Sequence, residues 1–252
     1  GLAIGQEGLT NGIHGWYAPA VNLHRSPFGG RNFEYYSEDP LISGKIGAAM
    51  VSGARQNGLF AHIKHCALNE MDHARGNIQV YATEQSMREM YLRGFEIATK
   101  EAECTIQVYD GETGGQKTVE LKAAGAYMTS MTFIGPKFSG ASYELLTTPL
   151  RNEWGFEGLV ITDFTSGDNK SKDCGYKVGN DLWMGMRTTP LNDLDTATAQ
   201  WAARNAIKNI AYTIVNSSAY NGIAPGSYAY YDMSPWRIGL IVFDMIAGVI
   251  AA

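Results

Sequence analysis

The six residues Leu159-Val160-Ile161-Thr162-Asp163-Phe164 form an apolar run that ends in an ionisable side chain. A short run of large aliphatic residues predicts a strand in the interior of an α/β layer. The carboxyl ends of parallel strands form the edge at which such folds bind their ligands. The run therefore predicts a parallel sheet with Asp163 at its functional edge.

Comparable apolar runs alternate with amphipathic segments along the chain, which favours an α/β fold with parallel strands. The predicted strands cover residues 16–21, 59–65, 104–109, 126–130, 159–163 and 181–184. The predicted helices cover residues 40–56, 83–100, 143–153 and 196–219. The polar, glycine-rich segment 110–117 is predicted to be a surface loop that follows a strand.

The composition excludes several classes of protein. The 252 residues include 20 Lys and Arg against 25 Asp and Glu, a formal net charge of −5, so no nucleic-acid partner is expected. Hydrophobic residues make up 45% and charged residues 18%, which excludes a disordered chain or a coiled coil. Three scattered cysteines argue against a disulfide framework. A length of about 250 residues is typical of a complete (β/α)₈ barrel.

In a barrel, polar residues at the strand ends would converge on one mouth. The candidates are Lys64, His65, Ser130, Asp163 and Asp181. Asp163 could act there as a nucleophile toward an anomeric carbon, as a metal ligand or as a base, or it could cap the following turn. Lys64 and His65 are adjacent, so both reach a ligand only where the strand has just ended.

Arg31 follows two glycines, which would let the backbone bring its guanidinium close to a ligand. The alternative is a structural ion pair with Glu34 or Glu38. No metal site is predicted, because His62 and His65 would lie on opposite faces of a strand. The sequence also lacks the glycine-rich nucleotide motifs and the G-x-S-x-G elbow, so no cofactor is expected and serine hydrolases are disfavoured.

The chain ends in a segment, residues 238–252, that is apolar apart from Asp244. The segment is compatible with a C-terminal core helix, but its composition favours a membrane anchor that is only partly present, since about 20 residues are needed to cross a bilayer. This interpretation predicts membrane contact through 238–252. Residues 217–237, which are rich in Tyr, Gly, Pro and Ser, are predicted to be a linker.

An ordered series of motifs resembles the barrel domain of glycoside hydrolase family 3, the β-glucosidase-like family. The series covers roughly residues 1–190 and is more specific than any single motif. It consists of Asn22-Leu23-His24-Arg25-Ser26-Pro27, Gly29-Gly30-Arg31-Asn32-Phe33-Glu34, Tyr36-Ser37-Glu38-Asp39-Pro40, Lys64-His65-Cys66-Ala67-Leu68-Asn69, Thr83-Glu84-Gln85, Arg88-Glu89-Met90-Tyr91-Leu92, Met128-Thr129-Ser130, Leu150-Arg151-Asn152-Glu153-Trp154-Gly155-Phe156 and Val160-Ile161-Thr162-Asp163-Phe164.

The resemblance implies a retaining β-glycosidase that acts on an oligosaccharide or another β-glycoside. Asp163 matches the nucleophile that forms the covalent glycosyl-enzyme, and Arg31, Lys64 and His65 match residues that bind sugar hydroxyls. Met128 and Ser130 lie in a strand that borders the same subsite. The segment 69–73 lacks the Asp-His dyad of the N-acetylglucosaminide-cleaving branch, which favours the glucosidase or xylosidase side.

The resemblance also implies parts that this chain does not carry. The family's barrel begins earlier, so we expect residues 1–216 to be an N-terminally incomplete (β/α)₈ TIM-type barrel followed by the linker and a C-terminal apolar helix. The general acid/base would come from a second α/β domain, expected to precede the barrel. Phe164, Cys66 and Met131 stand where Trp, Phe and Tyr are commoner in the family.

Two other functions remain open from the residues themselves. One is a non-catalytic carbohydrate-binding or scaffold remnant of such a barrel. The other is an unrelated barrel lyase or aldolase that would use Lys64 to form a Schiff base.

Overall fold

The computed structural model describes residues 1–165, 172–185, 191–220 and 235–251, and the structural statements below refer to these ranges. The chain divides into two compact units, residues 1–221 and residues 222–252. The first unit contains the sheet and the predicted site residues. The second contains one described helix.

The described strands of the first unit are two to eight residues long, and those at 20–23, 60–66, 126–129 and 159–161 are largely buried. They are β1 (Gly15–Trp16), β2 (Ala20–Leu23), β3 (Tyr35–Ser37), β4 (Phe60–Cys66), β5 (Gln79–Val80), β6 (Glu103–Asp110), β7 (Gly115–Lys122), β8 (Ala126–Thr129), β9 (Phe133–Ile134), β10 (Lys137–Phe138) and β11 (Leu159–Ile161).

The α-helices are α1 (Leu2–Thr10), α2 (Pro40–Gln56), α3 (Glu84–Ser86), α4 (Arg93–Glu101), α5 (Tyr143–Leu145), α6 (Lys172–Lys177), α7 (Ala197–Val215) and α8 (Pro235–Ala251). Wider π-helical turns, Met87–Tyr91 and Leu146–Glu153, follow α3 and α5. One 3₁₀ turn, Asn32–Glu34, precedes β3. The predicted helix over 40–56 thus forms as α2. The predicted helix over 143–153 forms as α5 and the π-helical turn that follows it. The predicted helix over 83–100 is divided by a π-helical turn into α3 and α4.

A six-stranded parallel sheet organises the first unit. Its strand order is β11-β8-β4-β2-β3, and β1 also pairs with β4. Leu159, Val160 and Ile161 pair with Ala126, Tyr127 and Met128, which places β11 beside β8 in parallel register. The predicted α/β class with a parallel sheet is therefore confirmed. Closure into a complete barrel is not seen in the described residues.

The hydrophobic core lies between this sheet and the helices. Phe95 of α4 and Tyr127 of β8 are fully buried, with ring centroids 6.2 Å apart. Burial of each such side chain contributes roughly 1.5–3 kcal/mol. Gly47 allows α2 to approach β2, because a Cβ at this position would lie 2.6 Å from Val21 Cγ1.

The helix α2 shows how the sequence sets a local boundary near the site. Asp39 caps it: its Oδ1 accepts hydrogen bonds from the backbone N–H of Leu41 at 2.7 Å and of Ile42 at 3.2 Å. Pro40 occupies the first helical position, where its missing N–H costs nothing. The β3–α2 connection, which follows the segment that contains Arg31, is thereby fixed.

Two strand predictions in this part of the first unit were wrong in detail. The predicted strand 16–21 is divided into β1 and β2, with 17–19 outside both. Residues 104–109 do form a strand, β6, but it pairs antiparallel with β7 in a separate two-stranded hairpin. The predicted loop 110–117 contains only a tight turn, in which the Asp110 carboxylate accepts hydrogen bonds from Glu112 N–H and the Thr113 hydroxyl. Residues 115–117, which were assigned to that loop, belong to β7 because they pair with 108–110.

The end of the chain differs from the expectation in two respects. The predicted linker 217–237 falls mostly on residues 221–234, outside the described residues, and α8 begins at Pro235, ahead of the predicted start at Ile238. Among the described helices, none combines the length and the apolar character required to cross a bilayer. The expectation of membrane contact through 238–252 therefore has no support in the structure.

Candidate active site

Three of the predicted site residues lie at one edge of the parallel sheet. Lys64 and His65 are near the carboxyl end of β4, and Asp163 follows the carboxyl end of β11. Because β4, β8 and β11 are parallel, their carboxyl ends meet at the same edge. The strand β4 continues to Cys66, and its register with β8 shifts between Ile63 and Cys66. Such an irregularity re-aims side chains, which fits the contact of both Lys64 and His65 with this site.

The Asp163 carboxylate is buried but surrounded by charged groups. Its Oδ2 accepts a hydrogen bond from Arg75 Nη1 at 3.1 Å and lies 3.8 Å from His65 Nε2. Its Oδ1 accepts a hydrogen bond from the Phe164 N–H at 2.6 Å, and its own N–H donates to the Thr129 carbonyl of β8. The side chain is therefore held in one orientation by backbone and side-chain donors.

The neighbouring charges alternate in sign. Glu34 accepts from the Arg31 Nε and lies 3.2 Å from Lys64 Nζ. Asp72 Oδ1 lies 3.2 Å from Arg75 Nε and 3.9 Å from Arg31 Nη1. The resulting chain of ion pairs is Lys64, Glu34, Arg31, Asp72, Arg75 and Asp163. We call it the charged chain.

The charged chain affects the protonation of His65 and Arg31. Burial, together with the positive charges of Arg31, Lys64 and Arg75, lowers the pKa of His65 well below its usual value. His65 is therefore neutral near pH 7, and its Nδ1 is buried without a partner among the described residues. Burial lowers the pKa of Arg31, but the hydrogen bond and charge of Glu34 outweigh this effect and raise it.

Arg75 was missed by the sequence reasoning. It lies in the segment between β4 and β5, two residues after the stretch 69–73 that was compared with another branch of the family. It contacts Asp163 from 88 residues away in sequence. A basic residue just beyond a strand-end cluster is a weak signal, and no periodicity marks it.

Arg31 has the contact that the alternative interpretation predicted, since it pairs with Glu34. This pair does not remove it from the site, because Glu34 also contacts Lys64 and because Arg31 lies near Asp72. The two interpretations of Arg31 are therefore compatible.

Ser130 and Met128 are not brought into the charged chain. The Ser130 hydroxyl is fully buried and donates to the Ala67 carbonyl at 2.6 Å, beside Thr132 and Ser139. Met128 is buried in a small apolar cluster with Leu159 and Ile161. Their contact with a sugar remains a prediction.

Asp181 was expected at the mouth with Asp163, and the structure corrects this. Leu182 of the predicted strand 181–184 bridges to Ile161, the last residue of β11, and the Asp181 N–H donates to the Val160 carbonyl. Asp181 therefore lies beside β11 and not beyond its carboxyl end. Its Oδ2 accepts from Arg151 Nη2 at 2.8 Å and Val160 N–H at 2.7 Å, and its Oδ1 accepts from Asn209 at 2.9 Å. Asp181 thus joins β11, α7 and the Leu146–Glu153 turn.

A second buried network lies behind the charged chain. The Asn22 side chain binds the His65 main chain, accepting from its N–H at 2.7 Å and donating to its carbonyl at 3.1 Å. Asn22 also donates to Glu70 Oε1 at 3.2 Å. Burial raises the pKa of Glu70 to about 7 in spite of the hydrogen bonds from Asn22 and Leu23.

The site offers no metal centre within the described part of the chain. No group of three or more His, Cys, Asp or Glu side chains is placed there to hold a metal ion.

Known proteins with the same sequence pattern and fold are β-glucosidases. The sequence model described as "Glycosyl hydrolase family 3 N terminal domain" matches residues 1–177. "Beta-glucosidase A" of Butyrivibrio fibrisolvens is 40% identical over 189 residues, which cover 75% of this chain and 20% of that protein. "Probable beta-glucosidase K" of Emericella nidulans is 37% identical over 164 residues, 65% of this chain and 17% of that protein.

The comparison with solved structures agrees with the sequence comparison. The structure of β-glucosidase 3B from Thermotoga neapolitana in complex with α-D-glucose superposes with a TM-score of 0.73 at 31% identity, covering 87% of this chain and 29% of that one. The chain thus spans about a fifth of the first curated relative and under a third of this structural neighbour. The match over residues 1–177 shows that the chain belongs to glycosyl hydrolase family 3, through the N-terminal domain of that family.

Proposed function

We propose that the chain provides the sugar-binding and nucleophile-bearing part of a retaining β-glycosidase of the β-glucosidase or β-xylosidase type. The observation that carries the proposal is the position of Asp163: a fixed carboxylate at the carboxyl end of β11, with Arg75 at 3.1 Å and His65 at 3.8 Å. The relatives and structural neighbours, which are β-glucosidases, support the same reaction class.

In this mechanism Asp163 attacks the anomeric carbon of the terminal sugar and forms a covalent glycosyl-enzyme, which water then hydrolyses. A carboxylate must be ionised to act as a nucleophile, and nearby positive charges favour the ionised form. Arg75 supplies such a charge in direct contact with Asp163. Its contact with Oδ2 also limits rotation of the carboxylate.

The sugar would be held by the remaining charged and neutral groups of the site. Arg31 and Lys64 donate hydrogen bonds to its hydroxyls, and neutral His65 can donate through one ring nitrogen and accept through the other. Fixing the sugar in this way turns the attack into an effectively intramolecular step. Arg75 joins these residues as a fourth group near the reacting carbon.

The general acid/base is assigned by this proposal to a domain outside these 252 residues. A retaining enzyme needs two carboxyl groups about 5–5.5 Å apart. We assign the second of these to the α/β domain expected before the barrel. The parallel sheet would then be part of a (β/α)₈ barrel of which residues 1–216 form the incomplete portion present here.

The test is covalent labelling of the product of the full open reading frame that encodes this chain. A 2-deoxy-2-fluoro β-glucoside with a dinitrophenyl leaving group needs no acid for the first step, so the glycosyl-enzyme should accumulate. Mass spectrometry of the digest should place the added sugar on the peptide that contains Asp163. The Asp163→Asn variant should take up no label, whereas Asp195→Asn, which changes an exposed carboxylate, should be labelled like the unmodified protein.

Two results would contradict the assignment. Label on a peptide without Asp163 would mean that another residue is the nucleophile. Absence of any label, together with retained binding of glucose or xylose, would favour a non-catalytic carbohydrate-binding protein instead.

A further inference from the structure

The carboxylate of Glu34 contacts two of the cations that the proposed function assigns to sugar binding. Its Oε1 accepts from Arg31 Nε, and its Oε2 lies 3.2 Å from Lys64 Nζ. The two cations come from different parts of the fold, Arg31 from the residue before the 3₁₀ turn and Lys64 from β4. One carboxylate thus joins two parts of the fold within the site.

The contact with Glu34 restrains the Lys64 side chain and offsets the repulsion between the two cations. A lysine ammonium is a point charge on a flexible stem, so its direction is set only by its partners. Two neighbouring cations also repel each other, and a carboxylate between them cancels this repulsion. The side chains of Lys64, Arg31 and Glu34 are 13%, 18% and 20% exposed, so water screens these interactions only in part.

The contact also determines which face of Arg31 is available. Glu34 occupies the Nε, whereas Nη1 points toward Asp72 at 3.9 Å, too far for a hydrogen bond. Among the described residues, the terminal nitrogens of the guanidinium have only this longer ion pair with Asp72, so they can donate hydrogen bonds to a ligand.

We propose that Glu34 is a positioning residue that sets the separation and direction of Arg31 and Lys64 toward the sugar. It acts through these two cations and does not itself touch the reacting carbon. The inference rests on the proposed function, because it takes Arg31 and Lys64 to be sugar-binding residues.

The local fold allows Glu34 to be changed without disturbing the core. Its backbone is held in the turn by a hydrogen bond from Glu34 N–H to the Arg31 carbonyl at 3.1 Å. The next residue, Tyr35, is buried and donates from its hydroxyl to the Asn69 carbonyl at 2.6 Å. Glu38, which is exposed and lies in the same motif, provides a matched control.

The kinetic test is a double-mutant cycle in the product of the full open reading frame. Glu34→Gln should lower kcat/KM for an aryl β-glucoside by about 10- to 100-fold, since small displacements of a positioning group have effects of this size. If Glu34 acts through Lys64, adding Lys64→Met to Glu34→Gln should cause less loss than Lys64→Met causes alone. Glu38→Gln should leave kcat/KM unchanged and should be additive with Lys64→Met.

A structural measurement tests the inference independently of activity. In a crystal structure of the Glu34→Gln variant of this chain, Lys64 Nζ and the Arg31 guanidinium should be displaced from their positions in the unmodified chain. An Asp at position 34 is too short to reach both cations, so Glu34→Asp should keep one contact and restore activity only in part.

Three outcomes would overturn the inference: unmoved cations in the variant crystal, an additive cycle, or a Glu34→Gln variant as active as the unmodified protein. A loss of activity matched by a loss of thermal stability, with an additive cycle, would show a purely structural role. Failure of the proposed function is a different result, since it is the absence of sugar label on Asp163 in the unmodified protein.

Discussion

Asp163 lies beyond the carboxyl end of β11 and Asp181 lies beside Val160 of the same strand; each is paired with an arginine, yet their surroundings differ. Asp181 accepts hydrogen bonds from Arg151, Val160 N–H and Asn209, which belong to three different elements of the fold. Asp163 accepts from Arg75 and from the adjacent Phe164 N–H, and it also faces a neutral histidine at 3.8 Å.

The difference shows what distinguishes a structural carboxylate from a candidate nucleophile. Both are buried, so burial alone does not separate them. The partners do. Asp181 connects elements of the core, whereas Asp163 is bound to Arg75, which also pairs with the half-exposed Asp72 at the edge of the sheet. Changes at the two positions should therefore affect different properties.

The largest effect should follow the change Asp163→Asn. Loss of the nucleophile should lower kcat by about 10⁴-fold, as for other catalytic groups that form covalent intermediates. The unfolding midpoint should change little, because Arg75 keeps Asp72 as a partner at 3.2 Å. Initial rates and thermal unfolding of the same preparation measure both properties. A large loss of stability with little loss of rate would mean that Asp163 is the structural carboxylate and not the nucleophile.

The change Asp181→Asn should have the opposite pattern. An amide NH₂ at this position would face a donor whichever way it turned, and Arg151 would lose its carboxylate partner. Breaking a buried ion pair in this way costs about 3–5 kcal/mol of stability. Urea unfolding should show this loss while the rate per folded molecule stays near that of the unmodified protein. Unchanged stability would mean that Asp181 is not a structural carboxylate.

A smaller and pH-dependent effect should come from Glu70→Gln. The pKa of Glu70 is raised to about 7 from 4.5, so the folded state keeps the proton that the unfolded state loses as pH rises through this range. The unmodified protein thereby loses about 3 kcal/mol of stability between pH 4.5 and 7 relative to the variant. Gln can still accept at Oε1 from Asn22 and Leu23.

The measurement compares the free energy of unfolding of the Glu70→Gln variant with that of the unmodified protein at each pH. Burial lowers the pKa of His62 to about 4, which makes stability rise with pH between about 4 and 6.5 and so opposes the effect of Glu70 in the unmodified protein. The difference between Glu70→Gln and the unmodified protein removes this contribution. A difference that does not grow from pH 4.5 to 8 would contradict the ionisation of a buried Glu70.

The smallest effect should follow Asp72→Asn. Asp72 is 42% exposed, so water screens its contacts with Arg75 and Arg31 more than it screens those of Glu34. Its removal should lower kcat/KM only a few-fold, by about 1 kcal/mol or less, as expected for exposed ion pairs. Steady-state kinetics at low and high salt would measure it. A loss of kcat/KM as large as that of Glu34→Gln would contradict this, since it would mean that the exposed fraction of a side chain does not determine how much that residue of the charged chain contributes to activity.

The sequence predicted the residues whose role depends on local pattern and family resemblance. Asp163 was found because it ends an apolar run, and Arg31, Lys64 and His65 because they stand in an ordered series of motifs. The same strand-end reasoning placed Asp181 at the mouth, whereas Asp181 lies beside Val160 within β11. Position relative to a strand depends on which residues actually pair, and only Leu182 does so. The alternation of apolar residues at 119 and 121 could have revealed β7.

What the sequence determined by itself was therefore the α/β class, the family and the position of the carboxylate at the end of β11, because apolar periodicity and contiguous motifs are local properties. Tertiary structure decided which charges meet. Arg75 reaches Asp163 across 88 residues, and Glu34 joins Arg31 to Lys64 across two elements. These contacts depend on how the strands and their connecting segments pack together, and no local pattern encodes a distance between side chains that only the folded sheet brings within hydrogen-bonding range.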